Sequence, residues 1–159
     1  MIRTKEKSAL THVLLALVPY TRDNLLLVFS PNRFFNELEK TSHHSMSSLR
    51  TAYSRAKQDN TIAIEKGRVT LSIRARQIVQ PYTAKKLASG GELMVIFDIP
   101  EQYADRRRKL RNILRSFGFK QVQQSVWSSD LDHKGVLFDT ILDLDLADFV
   151  QLYEATRID

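Results

Sequence analysis

Cysteine is absent from this sequence of 159 residues. That excludes a disulfide-stapled scaffold, thiolate zinc sites, iron–sulfur clusters and a cysteine nucleophile. Long apolar runs are missing as well: the longest, 13–18 and 25–29, fall far short of the roughly 20 residues needed to cross a bilayer. The basic start MIRTKEKSAL leads into an apolar stretch that ends at Pro19-Tyr20 with no small-residue cleavage site, so a signal peptide is not expected. The expectation is a cytoplasmic chain without a membrane partner. What is present is an ordinary globular balance, 43% hydrophobic and 26% charged, which excludes wholesale disorder. A mass of 18.4 kDa leaves room for one ordinary domain or two small ones.

Charge divides the chain. Up to Gly91 there are 15 Lys and Arg against 6 Asp and Glu, and from Glu92 onward 9 against 12, so a +9 part precedes a −3 part within the net +6. The seam falls in TAKKLASGG, a polar stretch whose paired glycines suit a linker. The expected organisation is a domain over 1–82, a linker over 83–91 and a second domain over 92–159, the first facing a polyanion.

The first part reads as helix, helix, helix, hairpin. Over 5–18, Leu10, Val13, Leu14 and Leu17 fall at i, i+3, i+4 and i+7 before Pro19, one apolar face of a helix. Ser30-Pro31 offers a cap and a proline at the first helical position, and Phe34, Phe35 and Leu38 would bury a short helix running to about residue 40. A third helix over 46–58 sets Met46, Leu49, Ala52, Tyr53 and Ala56 on one side. Two alternating runs then flank Glu65-Lys66-Gly67-Arg68, a hairpin signal in which glycine supplies the positive φ. Three helices and a hairpin with a basic tip form the winged helix-turn-helix arrangement.

A wheel at 100° per residue, zeroed on Leu49, keeps Ala52, Tyr53 and Ala56 within about 60° of it. The opposite side carries Ser47, Thr51, Ser54 and Gln58, with Arg55 beside them and Arg50 and Lys57 on the flank. Small hydroxyls and an amide edged by cations suit a major groove: the short side chains meet base edges while the arginines grip phosphates or guanine. Lys66 and Arg68 at the hairpin tip would touch the adjacent backbone. These nine residues are the candidate DNA-binding set. His43-His44 lack companion ligands at metal spacing and are expected as phosphate contacts or solvent-facing loop residues.

The second part has a different grammar. ELMVIFDI, 92–99, is a strand-length apolar run that suggests burial on both faces. A basic helix over about 102–117 follows, with the stripe Tyr103, Leu110, Ile113, Leu114 and Phe117 and Gly118 as its C-terminal cap. Residues 119–127 read as strand with a break near Gln124-Ser125, 133–142 as a helix carrying Val136, Leu137, Ile141 and Leu142, and 149–158 as a closing strand. Together they make a compact α+β sandwich of the ferredoxin-like βαββαβ type. Trp127 and Phe149 are expected as core or interface aromatics.

Met94-Val95-Ile96-Phe97-Asp98-Ile99-Pro100-Glu101, then Leu110-Arg111 and Leu114, Gly118-Phe119 and Gln124-Ser125-Val126-Trp127 together resemble the PaaX-type transcriptional repressors. Members of that family join an N-terminal winged helix to a domain similar to the small CRISPR-associated adaptation nuclease, a ferredoxin-fold homodimer. The likeness is strongest over 94–127, and in the first part Ser47-Ser48-Leu49-Arg50 opens the third helix. It implies a homodimeric regulator, a repressor in the first instance, acting on an inverted repeat of double-stranded DNA, with no cofactor and no catalytic residue. The tryptophan-containing lead-in common before the first strand is absent here. PaaX proteins proper continue into a further C-terminal region, so their acyl-CoA ligand is not carried over and any small-molecule effector stays unassigned.

The alternative implied by the same resemblance is a divalent-metal-dependent endonuclease. Asp98 matches that nuclease's strand-end aspartate, two copies of which are thought to hold a metal, Mg²⁺ in the first instance, across a dimer; carboxylate oxygens suit Mg²⁺, which activates water and stabilises charge. Against it stands the wheel of the basic helix, where Arg106 lies at about −40° from Leu110, on the apolar stripe. From there its guanidinium could pair with Asp98, and a neutralised aspartate is a poor ligand. Arg107, Arg108, Arg111 and Arg115 form a stripe that either extends the DNA surface or offsets aspartates such as Asp130, Asp132, Asp143, Asp145 and Asp148.

Overall fold

The computed structural model describes residues 6–18 and 22–158. The chain divides into two compact units, Met1–Val79 and Gln80–Asp159.

In the first unit, α1 (Ala9–Ala16) begins where the Ser8 hydroxyl accepts the Thr11 N–H at 3.1 Å. This cap stops the helix short of the expected 5–18, and residues 6–8 are not helical; Lys5 and the expected stop at Pro19 lie outside the described residues. α2 (Arg22–Phe29) was not anticipated, because LLLVF has no period that separates helix from strand. α3 (Pro31–Thr41) buries Phe34, Phe35 and Leu38, but Ser30 makes no side-chain cap; its carbonyl accepts the Phe34 N–H instead. α4 (Met46–Gln58) is capped by Ser45, whose hydroxyl accepts the Ser48 N–H at 3.3 Å, while the Met46 N–H donates to Glu39 Oε1 at 2.8 Å. Between them these acceptors satisfy two of the N–H groups that a helix start leaves without a partner.

β1 (Ile62–Glu65) and β2 (Arg68–Leu71) pair antiparallel with Glu65 opposite Arg68. The two-residue turn holds Lys66 and Gly67 at φ of 49° and 74°, the left-handed pair that matches strand twist. α5 (Ile73–Thr83) starts at the Ser72 hydroxyl, which accepts the Ala75 N–H at 3.2 Å, and has Pro81 in its last turn. It too was not anticipated. The core collects Val13, Leu14, Leu17, Leu27, Phe34, Phe35, Leu38, Leu49, Ala56, Ile62, Ala75 and Val79, so every helix of this unit contributes at least one buried side chain.

The second unit contains β3 (Gly91–Phe97), α6 (Ala104–Ser116), β4 (Lys120–Gln123), β5 (Val126–Ser129), α7 (Lys134–Asp143) and β6 (Val150–Thr156). The sheet order is β4-β5-β3-β6, and all neighbours are antiparallel. The first and third strands of the βαββαβ chain are therefore central, which is the ferredoxin-like topology. The single broken strand expected over 119–127 is a hairpin turning at Gln124-Ser125, with a register irregularity between Gln121 and Gln123. β3 is not buried on both faces. Leu93, Val95 and Phe97 are buried among Leu110, Leu114, Leu137 and Ile141 of the two helices, whereas Glu92, Met94 and Ile96 are only half-buried. Both helices cover one face, so the strand alternates after all.

Gly118 ends α6 at φ 81°, its N–H donating to the Arg115 carbonyl and that of Phe119 to the Leu114 carbonyl, both at 3.0 Å. That bond pair is a Schellman motif, and it carries buried Phe119 into the sheet core. Residues 85–87, within the stretch read as a linker, pair antiparallel with 130–132: the Leu87 N–H donates to the Asp130 carbonyl at 2.9 Å and the Asp132 N–H to the Lys85 carbonyl at 2.7 Å. His133 is fully buried, stacked on Phe117 at 5.0 Å and tilted against Phe119 at 5.2 Å. The Gln80 side-chain amide lies 3.1 Å from His133 Nδ1 and donates at 3.1 Å to the Asp132 carbonyl. No helix among the described residues is long and apolar enough to cross a membrane.

Candidate nucleic-acid interface

α4 presents a clean division. Leu49 and Ala56 are buried and Tyr53 is half-buried edge-on against Phe35 at 5.5 Å; burial pushes the Tyr53 phenol above its ordinary value. The outward side exposes Ser47, Arg50, Thr51, Ser54, Arg55, Lys57 and Gln58, and Lys66 and Arg68 are exposed at the hairpin tip. All nine sequence-predicted residues are thus on the surface, and seven share one helix.

They are not equivalent. Ala9, Ser47, Ser48, Thr51, Ala52 and Arg55 line one open groove between the start of α1 and α4. Its floor is small side chains, which leaves backbone and hydroxyls within reach of a rigid ligand. Arg50 stands apart: its Nη2 donates to Asn32 Oδ1 at 2.8 Å and its guanidinium lies 4.9 Å from the Phe35 ring centroid. That pair of contacts fixes a long side chain in one orientation and leaves its remaining N–H groups outward. Lys57 rests over the Tyr53 ring at 5.8 Å. Just past α4, the Thr61 hydrogen bonds hold the Asp59 carboxyl below its ordinary range.

Asn32 and Ser48 belong to this surface and were not singled out from sequence. Asn32 is 18 residues from Arg50, and no local pattern links residues on different helices. His43 is exposed as expected, but His44 is not a solvent-facing loop residue: its Nε2 donates to the Lys7 carbonyl at 2.8 Å, and its ring meets His12 edge-on at 5.1 Å. Its role is to hold the chain ahead of α1 against the turn that leads into α4.

In the second unit, the expected Arg106–Asp98 pair does not form. Arg106 Nη1 donates to Asp145 Oδ2 at 2.9 Å and to the Asp145 carbonyl at 3.1 Å, with the guanidinium over Tyr103 at 4.9 Å. Asp145 takes a left-handed φ of 53° at the turn after α7, a placement that the α6 wheel could not foresee. Asp98 is exposed at the end of β3, and its carboxylate makes no ion pair among the described residues. Its acidic neighbour Glu101 is taken by Arg107 Nη2 at 2.7 Å. No group of three or more potential ligands that could hold a metal occurs among the described residues. One free carboxylate per chain does not by itself fit Mg²⁺, which asks for near-octahedral oxygen coordination.

The arginine stripe is engaged within its own unit. Arg107 also reaches the Ile99 carbonyl at 2.9 Å, Arg108 pairs with Asp105 at 2.7 Å, Arg111 lies over Phe97 at 5.7 Å and Arg115 over Trp127 at 5.6 Å. None of the four pairs with the aspartates proposed to balance them; Asp130, Asp132 and Asp145 take Lys86, Lys134 and Arg106. Trp127 is buried in the core and Phe149 is half-buried beside Tyr103.

Two comparisons with known proteins bear on this arrangement. No curated protein matches the chain. The family model for the PaaX protein central Cas2-like domain matches residues 89–159, a stretch that takes in the whole ferredoxin-like sheet and both of its helices. That match supports the PaaX-type resemblance over the second part of the chain.

Proposed function

We propose that the chain is a sequence-specific DNA-binding transcriptional regulator, a repressor, acting as a homodimer on an inverted repeat. In this reading the first unit is a winged helix-turn-helix: α3, the turn and α4 form the reading motif, and the β1–β2 hairpin is the wing. The observation that carries it is the outward face of α4, where hydroxyls and an amide stand between cations on a helix whose other side is buried. The PaaX-type domain is consistent with a transcription regulator.

The chemistry divides by residue. Ser47, Thr51, Ser54 and Gln58 offer donors and acceptors to base edges, and Arg50, held by Asn32 and Phe35, is set to contact phosphate or guanine without first paying the entropy of ordering its side chain. Arg55, Lys57, Lys66 and Arg68 supply phosphate contacts, which dominate affinity and weaken it as salt rises. Half-site centres are expected about one helical turn apart, or a multiple of it.

Selection from randomised duplex DNA, with and without Mg²⁺, tests the reading. Arg55→Ala is expected to weaken binding across all sequences and to lower the slope of log K against log salt by about 1. Thr51→Ala and Gln58→Ala are expected to relax preference at single positions, each at about 1–3 kcal/mol. If both leave affinity and preference untouched, this face of α4 does not read DNA. Cleavage that requires Mg²⁺ and is lost in Asp98→Ala would replace the regulator by a nuclease.

A further inference from the structure

Arg50 differs from the other cations of its surface in how it is held. Both of its contacts are with α3: Nη2 donates to Asn32 Oδ1 at 2.8 Å, and Cζ lies 4.9 Å from the centroid of the buried Phe35 ring. Arginine has no acceptor, so the Asn32 atom that faces it must be the amide oxygen. Neither partner is charged, and Arg50 makes no ion pair among the described residues. In the second unit the anchored arginines are held by carboxylates: Arg107 by Glu101 and Arg108 by Asp105, both at 2.7 Å, and Arg106 by Asp145 at 2.9 Å. Those ion pairs meet the charge of the guanidinium within the chain. At Arg50 the orientation is set by neutral groups, and the charge is left for a ligand.

The neighbours of Arg50 say what that ligand is. Ser47 and Ser54 lie three residues before it and four after, one turn to either side on the same exposed surface. Arg50 belongs to the N-terminal half of α4, the end from which a recognition helix reaches base edges. The side chains of Arg55, Lys66 and Arg68 make no hydrogen bond, ion pair or ring contact among the described residues. Cations that can turn suit phosphates, whose oxygens accept from many directions. A guanidinium held in one plane suits an acceptor pair that is itself planar and rigid. Among the base edges of the major groove, guanine is the one that sets two acceptors, O6 and N7, side by side.

We propose that Arg50 reads a guanine through O6 and N7, and that Asn32 is the positioning residue that holds its fork for that contact. The inference rests on the DNA-binding reading of α4 and names the base that one of its residues selects. Asn32 acts through Arg50. Without it the guanidinium can swing from a mismatched base to a nearby phosphate, so wrong sites are penalised less and discrimination falls.

Selection from randomised duplex DNA tests this, followed by titration of the selected duplex and its single-position variants at several salt concentrations. Arg50→Ala is expected to lose preference for guanine at one position of each half-site, by about 5- to 150-fold, the worth of a bidentate arginine–guanine pair. Asn32→Ala is expected to lower the same preference about 2- to 12-fold, the worth of one hydrogen bond, with the salt slope unchanged because no charge is removed. Asn32→Asp still offers the acceptor and is expected to retain the preference while binding all sequences more weakly, through its added negative charge. Both residues are exposed, and circular dichroism melts of the three variants are expected to match that of the unmodified chain. If Arg50→Ala weakens all sequences evenly and lowers the salt slope by about 1, Arg50 grips phosphate, and the guanine assignment falls while the DNA-binding reading stands. If Asn32→Ala leaves the preference intact, or Asn32→Asp loses as much of it as Asn32→Ala, the positioning role is overturned. A chain that selects no sequence overturns the inference and the reading on which it rests.

Discussion

Replacing His133 is the sharpest physical test of the second unit. The imidazole is fully buried between Phe117 and Phe119, and four influences compete over its proton. Burial disfavours the charged form and is the largest; Asp132, the Phe117 backbone and Asp130 favour it. The balance leaves its pKa below the ordinary 6.5. Geometry agrees, because the Gln80 amide that donates to the Asp132 carbonyl turns the same NH₂ group toward Nδ1. Nδ1 is then the acceptor, and protonating it would set donor against donor.

The sign follows from linkage. Below pH 6.5 the unfolded chain takes up a proton that the native His133 refuses, so stability falls as pH drops from there toward the lowered native value. By about pH 5.5 this one group removes at most about 1.4 kcal/mol. Urea unfolding followed by the single tryptophan, Trp127, reports on the same core, and the measured quantity is the change in stability between about pH 7.5 and pH 5.5, native chain minus His133→Gln. Subtraction removes the contributions of His12, His43 and His44. The native chain is expected to lose more stability on acidification than the variant. Equal losses, or a native chain that gains, would mean that the aspartates hold His133 protonated and the reasoning fails.

Two further substitutions probe the two units separately. Leu49→Ala hollows the core beneath the outward face of α4 and is expected to cost about 2–5 kcal/mol; the far-UV circular dichroism melt should shift down while the Trp127 transition holds. Gly118→Ala adds a Cβ that meets nothing within 4 Å but must adopt φ 81°, so the cost is conformational, about 1 kcal/mol, and is read as a lowered urea midpoint of the Trp127 transition.

Period and punctuation made much of this protein legible from its residues. Leu49, Tyr53 and Ala56 recur with the helical period, so the outward side of α4 followed from arithmetic alone. Lys66-Gly67 marked the hairpin, Gly118 the end of α6, and the apolar run before Pro100 marked β3. Local signals failed where the pattern was uniform or mixed. LLLVF has no polar face to show which period applies, and IRARQIVQPY mixes cations with a proline near its end, so α2 and α5 were not assigned.

Long-range pairing was decided by the tertiary structure. Arg50 meets Asn32 on another helix, Arg106 chose Asp145 over Asp98, and residues 85–87 bond to 130–132. A wheel gives the direction in which a side chain leaves its helix, but not which distant segment folding will bring to meet it. Composition and spacing therefore determined the elements and the chemistry of the α4 face, because those depend on neighbours along the chain. The partner of each charge, the burial of His133 and the place of β6 at the end of the sheet came only from the fold, because packing decides which groups lose their water and which remain exposed to it.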